Sequence, residues 1–213
     1  MAFNATKFIA TTALAAGTSG TFSMQNQCEA SSGTGIMPVV ELYTSEGCSS
    51  CPPADQWVSS LKNKGVIVQA FHVSYWDYIG WVDRFAAPAH TTRQRGIAAR
   101  NHLRSLYTPQ AVLNGQDLPN WSNWHGQTKP AAPARIRINM RQLGPDQFEA
   151  SVTPISPPSA AQPASHWSAY WTVTEHGHNS KVQAGENAGE LLKQLCGAPV
   201  HPGRRLPNQR QRR

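Results

Sequence analysis

The sequence predicts an α/β protein in which a compact core is followed by an appended antiparallel β module. Two observations support this fold class. Within about 35 residues, two apolar strands flank one amphipathic helix, which is the pattern of a βαβ unit. Later in the chain, residues 135–182 alternate between apolar and polar side chains, which is typical of half-buried antiparallel strands. With 213 residues, the chain can form one large domain or two small ones.

The predicted core spans residues 38–115 and begins with the βαβ unit. Pro38–Thr44 is an apolar run bounded by proline and polar residues, so it predicts a buried strand. Pro53–Lys62 predicts a helix, because proline suits a first turn and three apolar residues share one face. Val66–Val73 predicts a second apolar strand, as in a parallel sheet that is covered on both faces.

The rest of the core is predicted to contain one more helix and one short strand. Pro88–Leu106 predicts the helix, and Ala111–Leu113 predicts the strand, which an Asn-Gly turn follows. A charged face of such a helix is usually solvated. We expect this of the three arginines that lie close to one face: Arg93, Arg100 and Arg104.

The β module is predicted over residues 135–193. Three apolar rows with a period of two predict its strands: Ile136, Ile138 and Met140; Phe148, Ala150 and Val152; Ala169, Trp171 and Val173. A proline-rich loop, residues 154–164, separates the second row from the third. We expect the module to be separate from the core or packed against it.

The positive charge of the chain is concentrated in its last residues. The formal net charge is +7, and residues 201–213 contain five arginines and no acidic residue. Without those five charges the remaining chain carries +2, which is poor evidence for nucleic-acid binding. Residues 197–213 are therefore predicted to be a basic, disordered tail, and we expect no nucleic-acid partner.

Residues 1–30 have the pattern of an export signal. Lys7 supplies a positive start, and Phe8–Ala16 is an apolar run that is too short to span a bilayer. Cleavage after Ala15 or after Ala30 would follow small residues. We expect a periplasmic or secreted protein without stable membrane insertion; the alternative is a frayed N-terminus.

Two of the four cysteines form one C-x-x-C motif: Cys48 and Cys51, with Cys28 and Cys196 isolated. The motif follows a predicted buried strand and precedes a helix, whose N-terminus favours a thiolate. One sulfur can attack a partner disulfide, and the other can resolve the mixed disulfide. A structural disulfide or half of a zinc site are the alternatives. Because Cys51 precedes Pro52-Pro53, we expect extended geometry there and a later helix start.

Further candidate site residues follow the second strand and precede the third. Pro109 comes after Thr108 and just before a short strand, where a thioredoxin fold keeps its cis-proline. His72 ends the second strand and is a candidate metal ligand, a proton acceptor for Cys51 or an ordinary buried histidine. Trp76 and Asp77 follow it, and the tryptophan is expected to line the core or a groove.

Four segments resemble the motifs of one family: Val39–Asp55, Phe71–Trp81, Tyr107–Gln110 and Gly185–Gly189. The family is a thioredoxin-like group of exported bacterial proteins, catalogued as domain of unknown function number twelve twenty-three. The resemblance covers residues 38–193. It implies a thioredoxin-like fold and brings no established activity.

Three functions remain open. The first is a thiol–disulfide oxidoreductase without a cofactor, in which Cys48 attacks a thiol or disulfide substrate, Cys51 resolves and Pro109 faces both. The second is a soft-metal protein that uses both sulfurs and His72. The third is a binding module in which the motif is a structural disulfide. Oxidoreductase activity requires an exposed sulfur, whereas a structural disulfide is expected to be buried.

Overall fold

The structure is a computed structural model that describes residues 6–11, 28–126, 132–144, 147–155, 170 and 172–194. These residues form a mixed α/β architecture with three sheets and two α-helices. The strands are β1 (Thr6–Thr11), β2 (Glu29–Ser31), β3 (Val39–Thr44), β4 (Ile67–His72), β5 (Gln110–Leu113), β6 (Gln116–Asp117), β7 (Ile136–Gly144), β8 (Gln147–Pro154), β9 (His178–Lys181) and β10 (Leu191–Gln194). The helices are α1 (Pro52–Ser60) and α2 (Pro88–Arg100).

The chain divides into two compact units that differ from the predicted domains. One unit contains Met1–Ile36 and Pro130–His166, and the other contains Met37–Lys129 and Trp167–Arg213. Strands β7 and β8 therefore belong to the first unit and the β9–β10 hairpin to the second, although 135–193 was predicted as one module. Alternation along a strand specifies which face is buried, and it does not specify which partner covers that face.

The second unit is built on a four-stranded sheet with the order β4-β3-β5-β6. Strand β3 runs parallel to β4 and antiparallel to β5, with Thr44 opposite His72 and Tyr43 opposite Gln110. The β3–α1–β4 segment is thus the predicted βαβ unit. The two-stranded β9–β10 sheet of this unit is antiparallel.

Both faces of this sheet are buried. On one face, Val40 and Leu42 belong to a core cluster with Val58 and Leu61 of the α1 segment. On the other, Tyr43, Phe71 and Val112 pack with Ile97 of α2. A strand covered on both faces is largely apolar, and β3 has this pattern, with Glu41 as its one charged residue. Full burial of a side chain such as Leu42 contributes about 1.5–3 kcal/mol.

Helix α1 starts directly at Pro52, and the expected delay is wrong. Cys51 is its N-cap residue and has helical angles, φ −78° and ψ −39°. The backbone N–H groups of Ala54 and Asp55 both donate to the Cys51 carbonyl. Proline removes an N–H that a first turn does not use, and the pre-proline bias against helical angles is overcome here by packing of the turn.

The expectation of a solvated arginine face fails at Arg93. Its guanidinium donates from Nε and Nη2 to the Glu41 carboxylate of β3, at 2.8 and 2.7 Å. Glu41 is 5 % exposed and also accepts a hydrogen bond from the Tyr43 hydroxyl. Burial and the neighbouring Glu41 charge raise the pKa of Tyr43. A carboxylate inside a strand therefore fixes the position of α2 against the sheet.

The first unit contains an antiparallel sheet with the order β1-β8-β7-β2. The first two predicted apolar rows lie in β7 and β8, with Met140 opposite Ala150. The expected half-burial is uneven, since Met140 is 38 % exposed and Ala150 only 5 %. Of the third predicted row, Val173 is described and lies outside a strand, because pairing starts only at His178.

The predicted export signal is only partly described. Thr6–Thr11 forms β1 and pairs with β8, whereas residues 1–5 and 12–27 lie outside the described residues. The predicted tail, 197–213, also lies outside them. Both remain predictions. Among the described residues, no helix combines the length and the apolar character that a membrane crossing requires.

Candidate functional site

The two motif cysteines lie in the turn between β3 and α1, which we call the disulfide turn (Ser45–Cys51). Cys48 and Cys51 form a disulfide, with their Cα atoms 5.4 Å apart. Two short-range hydrogen bonds shape the turn: Cys48 N–H donates to the Ser45 carbonyl, and Cys51 N–H donates to the Cys48 carbonyl. Cys48 thus precedes the helix, and Cys51 is its N-cap residue.

The disulfide is closed to solvent. Cys48 is 1 % exposed and Cys51 is 0 % exposed, whereas Ser49 and Ser50 between them are on the surface. The Ser50 hydroxyl lies 3.4 Å from the Cys48 sulfur. By the criterion of an exposed sulfur, this conformation matches the expectation for a structural disulfide.

The loop between β9 and β10, which we call the hairpin loop (Val182–Glu190), contacts the disulfide turn. The side-chain amide of Asn187 donates to the carbonyls of Glu46 and Cys48, at 2.8 and 2.9 Å. The Glu186 carboxylate accepts hydrogen bonds from the Ser49 N–H and hydroxyl, at 2.9 and 2.8 Å. These bonds lower the pKa of Glu186. Sequence analysis assigned no role to either residue, and the resemblance placed both in a motif.

A buried polar group lies around the end of β3, and we call it the acid–histidine cluster (Glu46, Asp55, His72 and Asp83). His72 Nδ1 lies 2.6 Å from a carboxylate oxygen of Asp83, and both side chains are fully buried. That same oxygen accepts a hydrogen bond from the Glu46 N–H. The Thr44 hydroxyl donates to Asp55 at 3.1 Å. The cluster therefore joins β3, the disulfide turn, α1 and β4.

Burial and mutual charge set the pKa values in this cluster. Burial raises the pKa of Asp55 to about 7, against the lowering effect of the His72 charge and of the Thr44 hydrogen bond. Burial disfavours the charged form of His72, but the Asp83 carboxylate outweighs it and the pKa of His72 is raised. The pKa of Asp83 is lowered, because His72 and two backbone N–H groups offset its burial.

Three atoms of the cluster are buried without a hydrogen-bond partner among the described residues: Glu46 Oε1, Asp55 Oδ1 and His72 Nε2. Buried polar atoms are normally paired, so three unpaired atoms in one cluster require an explanation, and a reactive site is one such explanation. Within the described part of the chain, no three His, Cys, Asp or Glu side chains are grouped closely enough to hold a metal. The structure thus places His72 with carboxylates, and not in a metal-ligand set with the two sulfurs.

Thr108 and Pro109 lie at the same edge of the sheet as the disulfide turn. The bond between them is cis, as the sequence predicted. Gln110, the first residue of β5, lies opposite Tyr43, near the end of β3. Pro109, just before β5, therefore lies at the end of the sheet from which the chain continues toward the cysteines. The Gln94 side chain of α2 donates to the Tyr107 carbonyl and to the Gln110 side chain, which fixes this proline loop (Tyr107–Gln110).

Trp76 connects the proline loop to the disulfide turn. Its indole N–H donates to the Thr108 hydroxyl at 2.7 Å. Its Cβ lies 3.4 Å from the position that a Cβ would take on Gly47. Asp77, by contrast, accepts a hydrogen bond from the Asp83 N–H at 3.2 Å, so it supports the acid–histidine cluster. Burial raises the pKa of Asp77.

Sequence reasoning identified the two cysteines, Pro109 and His72, and it missed Glu46, Asp55 and Asp83. Asp55 could have been found, because it follows Cys51 by four residues and therefore shares a face of the predicted helix. The other two acids lie in connecting segments, where no periodicity indicates which side chain points inward.

The fold and the site define a mixed α/β protein with a buried C-x-x-C disulfide at the head of a helix. The chain belongs to the family described as protein of unknown function (DUF1223), whose model matches residues 39–196. A protein of Agrobacterium tumefaciens, known from an X-ray crystal structure, is similar to this chain, with 23% sequence identity and a TM-score of 0.48. The similarity covers 78% of this chain and 72% of that protein. No curated protein matches the chain.

Proposed function

We propose that the chain is an exported thiol–disulfide oxidoreductase built on a thioredoxin-like core, and that it works in the periplasm or outside the cell. A parallel β3–α1–β4 unit, a dithiol motif at the head of α1 and the Thr108–Pro109 pair before β5, at the same end of the sheet, support this proposal. The predicted signal segment supports the location. The membership of the chain in its family brings no activity, and the residues of the site support the proposal.

Asp55 is the observation that carries the proposal. It follows Cys51 by one helical turn, and helical side chains point back toward the N-terminus, so its carboxyl lies on the Cys51 side. One of its oxygens has no hydrogen-bond partner among the described residues, and its pKa is about 7. A structural disulfide does not require a buried carboxyl with an unpaired oxygen, which costs stability, whereas a dithiol needs a nearby proton acceptor.

These groups support a balanced exchange. The Cys48 thiolate attacks a partner disulfide, so a mixed disulfide forms and one partner thiolate leaves. The Cys51 thiol then gives its proton to the Asp55 carboxylate, and its sulfur attacks Cys48. This step closes the internal disulfide and expels the second partner thiolate, which takes the proton. Two electrons pass from the dithiol to the partner, and in the reverse direction the internal disulfide accepts two electrons from a partner dithiol.

The partner would lie along the proline loop. Thr108, Pro109 and Trp76 are all half-buried, and they lie at the sheet edge beside the disulfide turn. Aromatic and proline side chains of this kind offer an apolar surface for an extended segment that carries the reacting sulfur. His72 and Asp77 both bond to Asp83, so we assign them an indirect role, which is to support the acid–histidine cluster.

The burial of both cysteines favours a second candidate, a binding module with a structural disulfide. In that case the Cys48–Cys51 bond stabilises the turn and undergoes no exchange. The two candidates differ in one observable property, which is the formation of mixed disulfides with partner proteins.

Trapping tests the proposal. Cys28 is free and exposed, so all variants carry Cys28→Ser and Cys196→Ser as a common background. In this background Cys51→Ser is expected to accumulate mixed disulfides, because the resolving thiol is absent. Cys48→Ser is the matched control and is expected to trap far fewer partners. Mass spectrometry of non-reducing gels measures both; equal trapping by the two variants, or none by either, removes the oxidoreductase assignment and leaves the binding module.

A further inference from the structure

We propose that the hairpin loop, Val182–Glu190, is a lid that locks the disulfide turn, and that it must leave the turn before either sulfur can react. The inference rests on the proposed function, because it explains how a buried disulfide takes part in exchange. Cys48 and Cys51 are 1 % and 0 % exposed, and an attacking thiolate must contact a sulfur directly. Some part of the chain has to move, and the contacts of the loop identify that part.

Asn187 is the central contact of the lid. Its amide group has two hydrogens, and each is donated to a carbonyl of the turn, one before and one after Gly47. The side chain is 6 % exposed, so water cannot easily replace these bonds. A backbone carbonyl that loses its donor in a buried place is destabilised. Asn187 therefore holds the turn in its closed shape and is a positioning residue for Cys48.

Glu186 adds a second, exposed contact beside the first. Its carboxylate accepts from both the N–H and the hydroxyl of Ser49, the residue that follows Cys48. These bonds hold the pKa of Glu186 below its usual range, so the contact weakens as the carboxylate is protonated. The lid thus covers the surface serine of the turn as well as its buried carbonyls.

Close packing completes the contact. Ile79 lies between the turn and the lid, because a Cβ on Gly47 or on Gly185 would meet its Cδ1 at 3.1 or 2.9 Å. Gly185 also has a left-handed φ of +78°, which side chains rarely adopt. A side chain at either position would therefore displace Ile79, and at Gly185 it would also strain the backbone.

The lid has the features of a segment that opens locally. Most of its residues are exposed, and Val182, at its junction with β9, is its one buried apolar side chain. Hydrogen bonds and the packing around Ile79 hold the loop on the turn. Segments with few buried apolar contacts open at low cost while the rest of the fold stays intact. The β9–β10 strands that carry the lid are only four residues each.

Reduction by a small reagent tests the lid without a partner protein. The oxidised full chain, with Cys28→Ser and Cys196→Ser, is mixed with dithiothreitol, and the rate of reduction is followed by maleimide labelling. Asn187→Ala is expected to be reduced about tenfold faster or more, because opening no longer breaks two buried hydrogen bonds. Asn179→Ala, an exposed asparagine of β9, is the matched control and is expected to keep the parent rate.

Glu186→Ala provides an independent test, because this exposed side chain can be removed with little risk to folding. It is expected to accelerate reduction by about two- to threefold near neutral pH, since it removes two hydrogen bonds to Ser49. Parent rates in folded Asn187→Ala or in Glu186→Ala would overturn the lid.

The two proposals can fail separately. If partner trapping fails while the lid variants are reduced faster, the lid stands as the protection of a structural disulfide, and the oxidoreductase assignment falls. If trapping succeeds while Glu186→Ala and Asn187→Ala keep the parent rate, exchange proceeds by another opening and the lid is rejected.

Discussion

Replacement of Asp55 by asparagine removes a buried carboxyl and keeps the shape of the side chain. The pKa of Asp55 is about 7 in the folded protein, and its ordinary value is 3.8. Each pKa unit corresponds to about 1.4 kcal/mol, so the buried carboxyl costs the fold up to about 4 kcal/mol once the unfolded chain has ionised. The cost is absent below about pH 4, grows as the pH rises and is complete above about pH 7.

Asp55→Asn is therefore expected to stabilise the oxidised protein in alkaline solution and to lose this advantage in acid. Urea unfolding of both proteins between pH 4 and pH 9 measures the difference in the free energy of unfolding. His72 faces Asp55, and its raised pKa also makes wild-type stability fall with rising pH, so the two groups act in the same direction. Glu190→Gln, at an exposed carboxyl of the hairpin loop, is the control and is expected to follow wild type.

A constant difference between Asp55→Asn and wild type over this pH range would refute the reasoning. It would mean that the carboxyl ionises in the folded protein as it does in water, and Asp55 would lose its role as proton acceptor. If the reasoning is right, the same variant is also expected to form its internal disulfide more slowly, because the Cys51 thiol loses its acceptor.

Three further changes test the fold around the site. Arg93→Met leaves Glu41 buried without its cation and is expected to cost about 3–5 kcal/mol in urea unfolding, with recovery in Glu41→Leu/Arg93→Met. Gln94→Ala removes a fully buried amide that holds the proline loop, and a loss of about 2–3 kcal/mol is expected in the same measurement. Gly185→Ala is expected to lower the melting temperature by several degrees, whereas Gly33→Ala, in open space, is not. Unchanged unfolding in any of the three would contradict the contact concerned.

The βαβ unit and the place of the cysteines could be predicted because their information is local. A strand that is buried on both faces is largely apolar along its length, and Val39–Thr44 is such a strand, with Glu41 as its one charged residue. Proline marks the start of α1, whereas its end at Ser60, with Leu61 as the C-cap, precedes the predicted end at Lys62. The motif cysteines lie between these elements, so their position at the head of the helix follows from the order of the chain.

The sequence could not predict contacts between distant segments. Arg93 has the pattern of a solvated residue, and only the packing of α2 on β3 brings it to Glu41. The same holds for β9, whose partner is β10, because His178–Lys181 contains no apolar row that would indicate a strand.

The sequence by itself determined the chemistry that is available, and the tertiary structure decided how it is controlled. Asn187 reaches the Cys48 carbonyl from 139 residues away, and Asp83 reaches His72 from 11. Burial closes the disulfide to solvent, and burial together with the mutual charges of His72 and Asp83 shifts the pKa values of these two side chains. Both effects depend on the exclusion of water by the whole fold. No local pattern records that removal, which is why the two sulfurs were visible in the sequence and their burial was not.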